Sequence, residues 1–170
     1  MTNAIPARLI VMGVTGCGKT TVGALLAGRL GAVFLDGDDY HPADNVAKMS
    51  AGTPLSDDDR WPWLDRLGVV IEDAVRQGRV VLACSALRRV YRDRISAACS
   101  EPPLFIHLSG ARDLIHGRMA ARREHYMPVA LLDSQIETLE PLEPDENAIM
   151  MQIDAPVDEV VARILAHLES

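Results

Sequence analysis

"RLIVMGVTGCGKTTVGALLAGRL", residues 8–30, opens with an apolar run, breaks at a glycine-rich turn and resumes with a helical pattern. The opening run has no polar alternation, so it suits a strand buried on both faces of a parallel sheet. The turn, Gly13 to Thr20, matches G-x-x-x-x-G-K-[ST] in full and in the right context, after a strand and before a helix. Gly13, Gly16 and Gly18 let the backbone wrap closely enough to aim N–H groups at phosphate oxygens. The helix that follows presents its N-terminal dipole to the same anion. Lys19 reaches the β- and γ-phosphates, and the Thr20 hydroxyl ligates Mg²⁺. Thr15, Cys17 and Thr21 complete the expected contact set for ATP and Mg²⁺. An incidental glycine turn with a stray lysine fits the context far less well.

Further apolar runs, AVFLD (32–36), RVVLACS (79–85), LFIHLSG (104–110) and AIMMQID (148–154), each read as a strand. Helical patterns occupy 19–30, about 62–77, 87–98, 111–123, 129–139 and 156–169. Alternation of this kind along the whole chain predicts an α/β fold with a doubly wound parallel sheet. The stretch from 37 to about 62 exceeds a single crossover and reads as an insertion beside the strand ends, where such sheets bind ligands. RREHYMP (122–128) reads either as a loop that closes over a site or as a plain helix–helix turn.

A chain of 170 residues fits one domain with a core of ordinary size. The net charge of -7 argues against nucleic acid as the main partner. Only Lys19 and Lys48 among the 17 basic residues are lysines, which points to sites where a compact charge matters. The cysteines, Cys17, Cys84 and Cys99, have no C-x-x-C spacing and read as reduced thiols of a cytoplasmic protein. No run approaches the roughly 20 apolar residues needed to span a bilayer, so no membrane association is expected. There is no N-K-x-D guanine-recognition stretch. A small phosphotransferase remains, with its second substrate to be read elsewhere.

The stretch LDGDDYHP, residues 35–42, crowds three carboxylates at a strand end. Each raises the cost of ionising the next, so either the turn is solvated or something positive belongs between them. If the strand continues past Phe34, Asp36 and Asp38 share a face beside the phosphate turn. Asp36 is then expected on the metal side, while Asp38 orients the acceptor hydroxyl and takes its proton. Asp39 is expected to be solvated. Asp57, Asp58 and Asp59 read as caps before a helix starting at Pro62. Arg60 is suited to holding a substrate carboxylate by two parallel bonds. His41 either donates to a substrate hydroxyl or is satisfied within its turn. Trp61 and Trp63 read as packing residues. Cys17, at a helix N-terminus beside a lysine, is expected to have a lowered pKa and to be open to oxidation.

FLDGDDYHPADNVAKMSAGTPLSDDDRWPWL (34–64), CSALRRVYRDRI (84–95) and GRMAARREHYMPVALLDSQIETLEP (117–141) closely resemble the gluconokinases. The resemblance runs from Gly13 to about Asp154. It implies a nucleoside-monophosphate-kinase-like P-loop fold in three layers, with a five-stranded parallel sheet. The whole of 1–170 is then one kinase domain, with 37–62 binding substrate and 118–130 forming a lid. It implies transfer of the ATP γ-phosphate to the 6-hydroxyl of gluconate, and it makes a homodimer plausible. It supports Asp38 on the acceptor hydroxyl and Arg60 on the substrate, and adds Lys48 to the substrate side. Of the lid arginines, it implies Arg122 on the transferring phosphoryl group and Arg118 against the base. Two rivals stay open: another small-acid kinase of the shikimate kinase type, and a nucleotide-binding regulator without transfer chemistry. Arg88 and Arg92 either add positive potential over the acid or pair with surface carboxylates.

Overall fold

The computed structural model describes residues 4–121 and 129–170. Five parallel strands, β1 (Arg8–Met12), β2 (Val33–Asp36), β3 (Val80–Ala83), β4 (Leu104–Ser109) and β5 (Ala148–Gln152), form one sheet in the order β2-β3-β1-β4-β5. The helices are α1 (Lys19–Leu30), α2 (Ala43–Ser50), α3 (Asp57–Val75), α4 (Arg89–Ala97), α5 (Arg112–Ala121), α6 (Val129–Thr138) and α7 (Val157–Glu169).

Strand alternation divides the core into two. Leu9 and Val11 of β1 face a cluster shared with Val22 and Leu26 of α1 and Val161 and Ile164 of α7. Ile10 and Met12 face the opposite cluster, with Leu64, Leu67 and Ile71 of α3 and Ile95 of α4. Each such fully buried side chain contributes about 1.5–3 kcal/mol. Helices thus cover both faces of the sheet, in three layers. The central strands β1, β3 and β4 read as continuous apolar runs because both faces are covered. Among the described residues no helix is long and apolar enough to cross a membrane.

β2 is not a direct neighbour of β1: β3 sits between them, pairing with Val11 through Ala83 on one side and with Asp36 through the same residue on the other. Strand order is a non-local property, and the α1 crossover leaves a place that β3 later fills. α3 starts at Asp57, not Pro62, because Ser56 caps it and Asp59 closes a capping box. Pro62 lies inside α3, past its first turn, so the helix forgoes the bond that residue 62 would have made to Asp58 O.

Candidate active site

The phosphate-binding turn joins β1 to α1 at the C-terminal end of the sheet. Gly18 caps α1 at φ 94°, with no side-chain cap and no acidic residue in the first turn. The positive end of α1 is therefore open to an anion. Gly16, at φ 79°, has no room for a side chain: a Cβ there would lie 2.5 Å from Met119 Cγ of α5. Lys19 Nζ donates to Val14 O at 3.0 Å, curled over the turn.

Cys17 is 1% exposed, and burial pushes its thiol pKa up despite the neighbouring Lys19. The expected reactive thiolate is thus corrected: desolvation outweighs the local positive charge.

β2 delivers Asp36 to the same end of the sheet. Thr20 Oγ1 donates to Asp36 Oδ2 at 3.4 Å, so the two proposed metal-side residues meet although β3 separates their strands. The chain then leaves the strand. Residues Gly37–Tyr40 form a 3-10 turn, and the Asp38 N–H donates to Asp36 Oδ1 at 3.0 Å. Asp38 is brought near Asp36 by this turn, not by strand alternation as expected. Gly37 is obligatory, since a Cβ would lie 2.7 Å from Ala83 O, and Trp63 Nε1 donates to Gly37 O at 2.8 Å. The Asp38 carboxyl reaches solvent from a crowded recess. Its pKa is raised by that desolvation first and by the Asp36 charge next, with Lys19 opposing. Asp39 is exposed.

The stretch 37–62 folds as that turn, α2 and the start of α3. The short α2 went unread in the sequence. His41 stacks on the buried Trp63, ring centroids 4.1 Å apart. One amide proton of Asn45 goes to Asp59 O at 2.9 Å; the other faces His41 Nδ1 at 3.3 Å. His41 is therefore the Nε2–H tautomer. Burial, then the Arg60 charge, lowers its pKa to about 4, leaving a neutral hydrogen-bond donor. Lys48 Nζ is held by Asp59 at 2.7 and 2.9 Å, which ties α2 to α3. Lys48 and Ser56 together lower the Asp59 pKa to about 2.

Arg60 lies along the Tyr91 ring, 5.3 Å from its centroid, with Nη1 donating to Leu55 O at 2.7 Å and Tyr91 Oη at 3.0 Å. Its Nε and Nη2 have no hydrogen-bond partner among the described residues. Tyr91 Oη donates to Asp57, which also accepts from Arg88. Those bonds, Tyr91 first, lower the Asp57 pKa.

On the other side of the turn a cavity of about 380 Å³ is lined by Gly16, Gly18, Thr21, Arg118, Pro156 and Val157. Arg118 Nη2 donates to Ile153 O at 2.6 Å, which fixes the guanidinium at the cavity wall. Arg122 and Arg123 lie outside the described residues.

Arg88 pairs with the part-exposed carboxylates Asp57 and Glu140, the surface pairing expected of it, whereas Arg92 meets neither expectation. Arg92 is 1% exposed and donates to Glu146 at 2.6 and 3.2 Å, Ala86 O at 2.9 Å, Leu87 O at 3.1 Å and Glu140 O at 3.2 Å. Arg88 Nε donates to Glu140 at 3.2 Å, and Arg89 binds Asp145 at 2.8 and 2.7 Å. The acidic stretch EPLEPDEN (140–147) is thus the counterpart of the basic RRVYR (88–92). That charge complementarity was the signal available in the sequence.

A phosphate turn, an adjoining carboxylate pair and a separate acceptor recess on a five-stranded parallel sheet define a P-loop kinase. A family model described as shikimate kinase matches residues 15–169. A probable gluconokinase of Rattus norvegicus is 43% identical over 182 residues, spanning 96% of this chain and 98% of that protein. A gluconokinase of Gluconobacter oxydans is 41% identical, over 97% of this chain and 93% of that one. The crystal structure of a gluconokinase from Sinorhizobium meliloti superposes with a TM-score of 0.87 at 40% identity, over 98% of this chain and 93% of that chain. The chain belongs to the gluconokinases, within the wider shikimate kinase family.

Proposed function

We propose that the protein transfers the γ-phosphoryl group of ATP to the 6-hydroxyl of D-gluconate, giving 6-phosphogluconate and ADP. One observation carries the reading: Lys19, Thr20, Asp36 and Asp38 converge where the open end of α1 meets the recess holding His41 and Arg60.

Mg²⁺ suits the residues present. Thr20 and Asp36 offer hard oxygens side by side, while no cluster of three or more His, Cys, Asp or Glu is found among the described residues. That matches an ion held by one or two protein oxygens and by substrate phosphates. When bound, it supplies charge neutralisation between the β- and γ-phosphates.

Lys19 leaves Val14 O to reach the phosphates. Asp38, its basicity raised by desolvation, accepts the proton of the attacking hydroxyl. His41 Nε2–H donates to a neighbouring hydroxyl, and the unpaired edge of Arg60 receives the carboxylate. Lys48 acts on the substrate side by holding Asp59 and so the α2–α3 wall. Arg118 lies against the base, and Arg122 closes on the transferring group, offsetting charge and excluding water. The whole chain works as one cytoplasmic kinase domain, with 37–62 as acceptor wall and 118–130 as lid.

A coupled assay of ADP release comparing D-gluconate, shikimate and no acceptor tests this. Turnover is expected with gluconate alone, and Asp38→Asn is expected to lower kcat by roughly 10²–10⁴-fold with ATP binding retained. Equal turnover with shikimate, or none with gluconate, overturns the assignment.

A further inference from the structure

The peptide between Val14 and Thr15 is held from both ends. Its carbonyl, Val14 O, accepts from Lys19 Nζ at 3.0 Å and from Cys17 N at 3.3 Å. Its N–H, on Thr15, donates to Gln135 Oε1 of α6 at 2.6 Å, across 120 residues of chain. Cys17 N is thus engaged within the turn, and Gln135 takes an amide that lies ahead of the α1 N-cap at Gly18.

We propose that Gln135 is a positioning residue for phosphoryl transfer, acting through Thr15. Lys19 Nζ has three donors, but reaching out to a γ-phosphate draws it away from Val14 O. Once it turns to the nucleotide, the carbonyl loses its strongest hold, and rotation of peptide 14–15 would point a partial negative charge towards the phosphates. Gln135 prevents that rotation by holding the opposite end of the same peptide.

The surrounding segment is built to keep Gln135 in place. On α6, Leu132 is fully buried in the cluster that contains Val14 and Cys17, with Ile136 packed beside it. Just beyond α6, Glu140 N donates to Leu87 O at 2.8 Å, and the Glu140 carboxylate accepts from Arg89 N at 2.9 Å. Arg92 and Arg88 bind the same residue. This fixes the helix at the residue before Pro141, five positions from the glutamine.

The inference rests on the kinase reading above, and its test separates the two. Gln135→Met keeps the side chain's length and removes the strong acceptor; Gln135 is half-exposed, so the fold is expected to persist. Gln135→Ala is the second variant. With either, kcat is expected to fall about tenfold, the loss of one hydrogen bond, while KM for gluconate stays unchanged. Hydrogen exchange at the Thr15 amide in the ADP complex is expected to quicken about tenfold on the same ground. Wild-type kcat with an equally protected Thr15 amide overturns the proposal, as does a raised gluconate KM at constant kcat. Absence of gluconate turnover in the wild type would instead sink the function, leaving the exchange measurement to decide the role of Gln135.

Discussion

Arg92→Met tests the internal architecture most directly. Arg92 and Glu146 are 1% and 6% exposed at their side chains, and the guanidinium serves three backbone carbonyls besides the carboxylate. Removing one member of a buried pair costs about 3–5 kcal/mol, because the other is left without compensation. At roughly 2–4 °C per kcal/mol for a chain of this size, the melting midpoint should fall by about 6–20 °C. The loss should also depend on pH. In the native protein burial pushes the Glu146 carboxyl up, but Arg92 and the Glu143 N–H outweigh it and the net pKa is lowered. Its stabilising contribution is therefore present above the unfolded pKa of about 4.3 and is lost as pH falls below it. Without Arg92 burial dominates, the pKa rises, and the contribution is lost as pH rises instead. The gap between wild type and variant should then widen from pH 5 to pH 8 in thermal denaturation followed by circular dichroism. Arg92→Met/Glu146→Met should recover most of the loss. A midpoint lowered by less than about 2 °C, far below the scale of a broken buried pair, would refute the reasoning. So would a gap that does not change with pH.

The other expectations concern the site. NMR titration should place the His41 ring near pKa 4, with its stabilising contribution present above about pH 6.5 and lost as pH falls towards 4; a midpoint near 6.5 contradicts its burial against Trp63. A thiol reagent at pH 8 should label neither Cys17 nor Cys84 in the folded protein, because burial pushes Cys17 up and Cys84 up to about 12; fast, ATP-protected labelling of Cys17 would contradict this. Asp36→Asn should raise the Mg²⁺ concentration for half-maximal activity by about 10–100-fold, read by metal titration of the assay.

The five strands and the α1 turn were legible because their signals are local. Uninterrupted apolar runs and the spacing of Gly13, Gly16, Gly18 and Lys19 need no knowledge of distant residues. The strand order was not legible, since nothing within β2 says that β3 will lie between it and β1. The nearness of Asp36 and Asp38 was expected from period-two alternation, whereas the 3-10 turn is what brings them together. α2 was missed because eight residues behind Pro42 carry only a short apolar pattern. Arg92 was read as a surface group because a charged residue on a helix usually is one. Its burial depends on Glu146, more than 50 positions away in sequence.

The bare first turn of α1 has a consequence for the protein's endurance. Natural helices usually close their N-termini with a residue of their own; here Gly18 supplies none, and Asp and Glu are absent from the turn. A nucleotide bound there would complete the helix as well as serve as reactant. Saturation at about 100 times the dissociation constant adds about 2.7 kcal/mol against unfolding. Heat tolerance, and with it survival against proteases, would then track the concentration of whichever adenine nucleotide fills the turn.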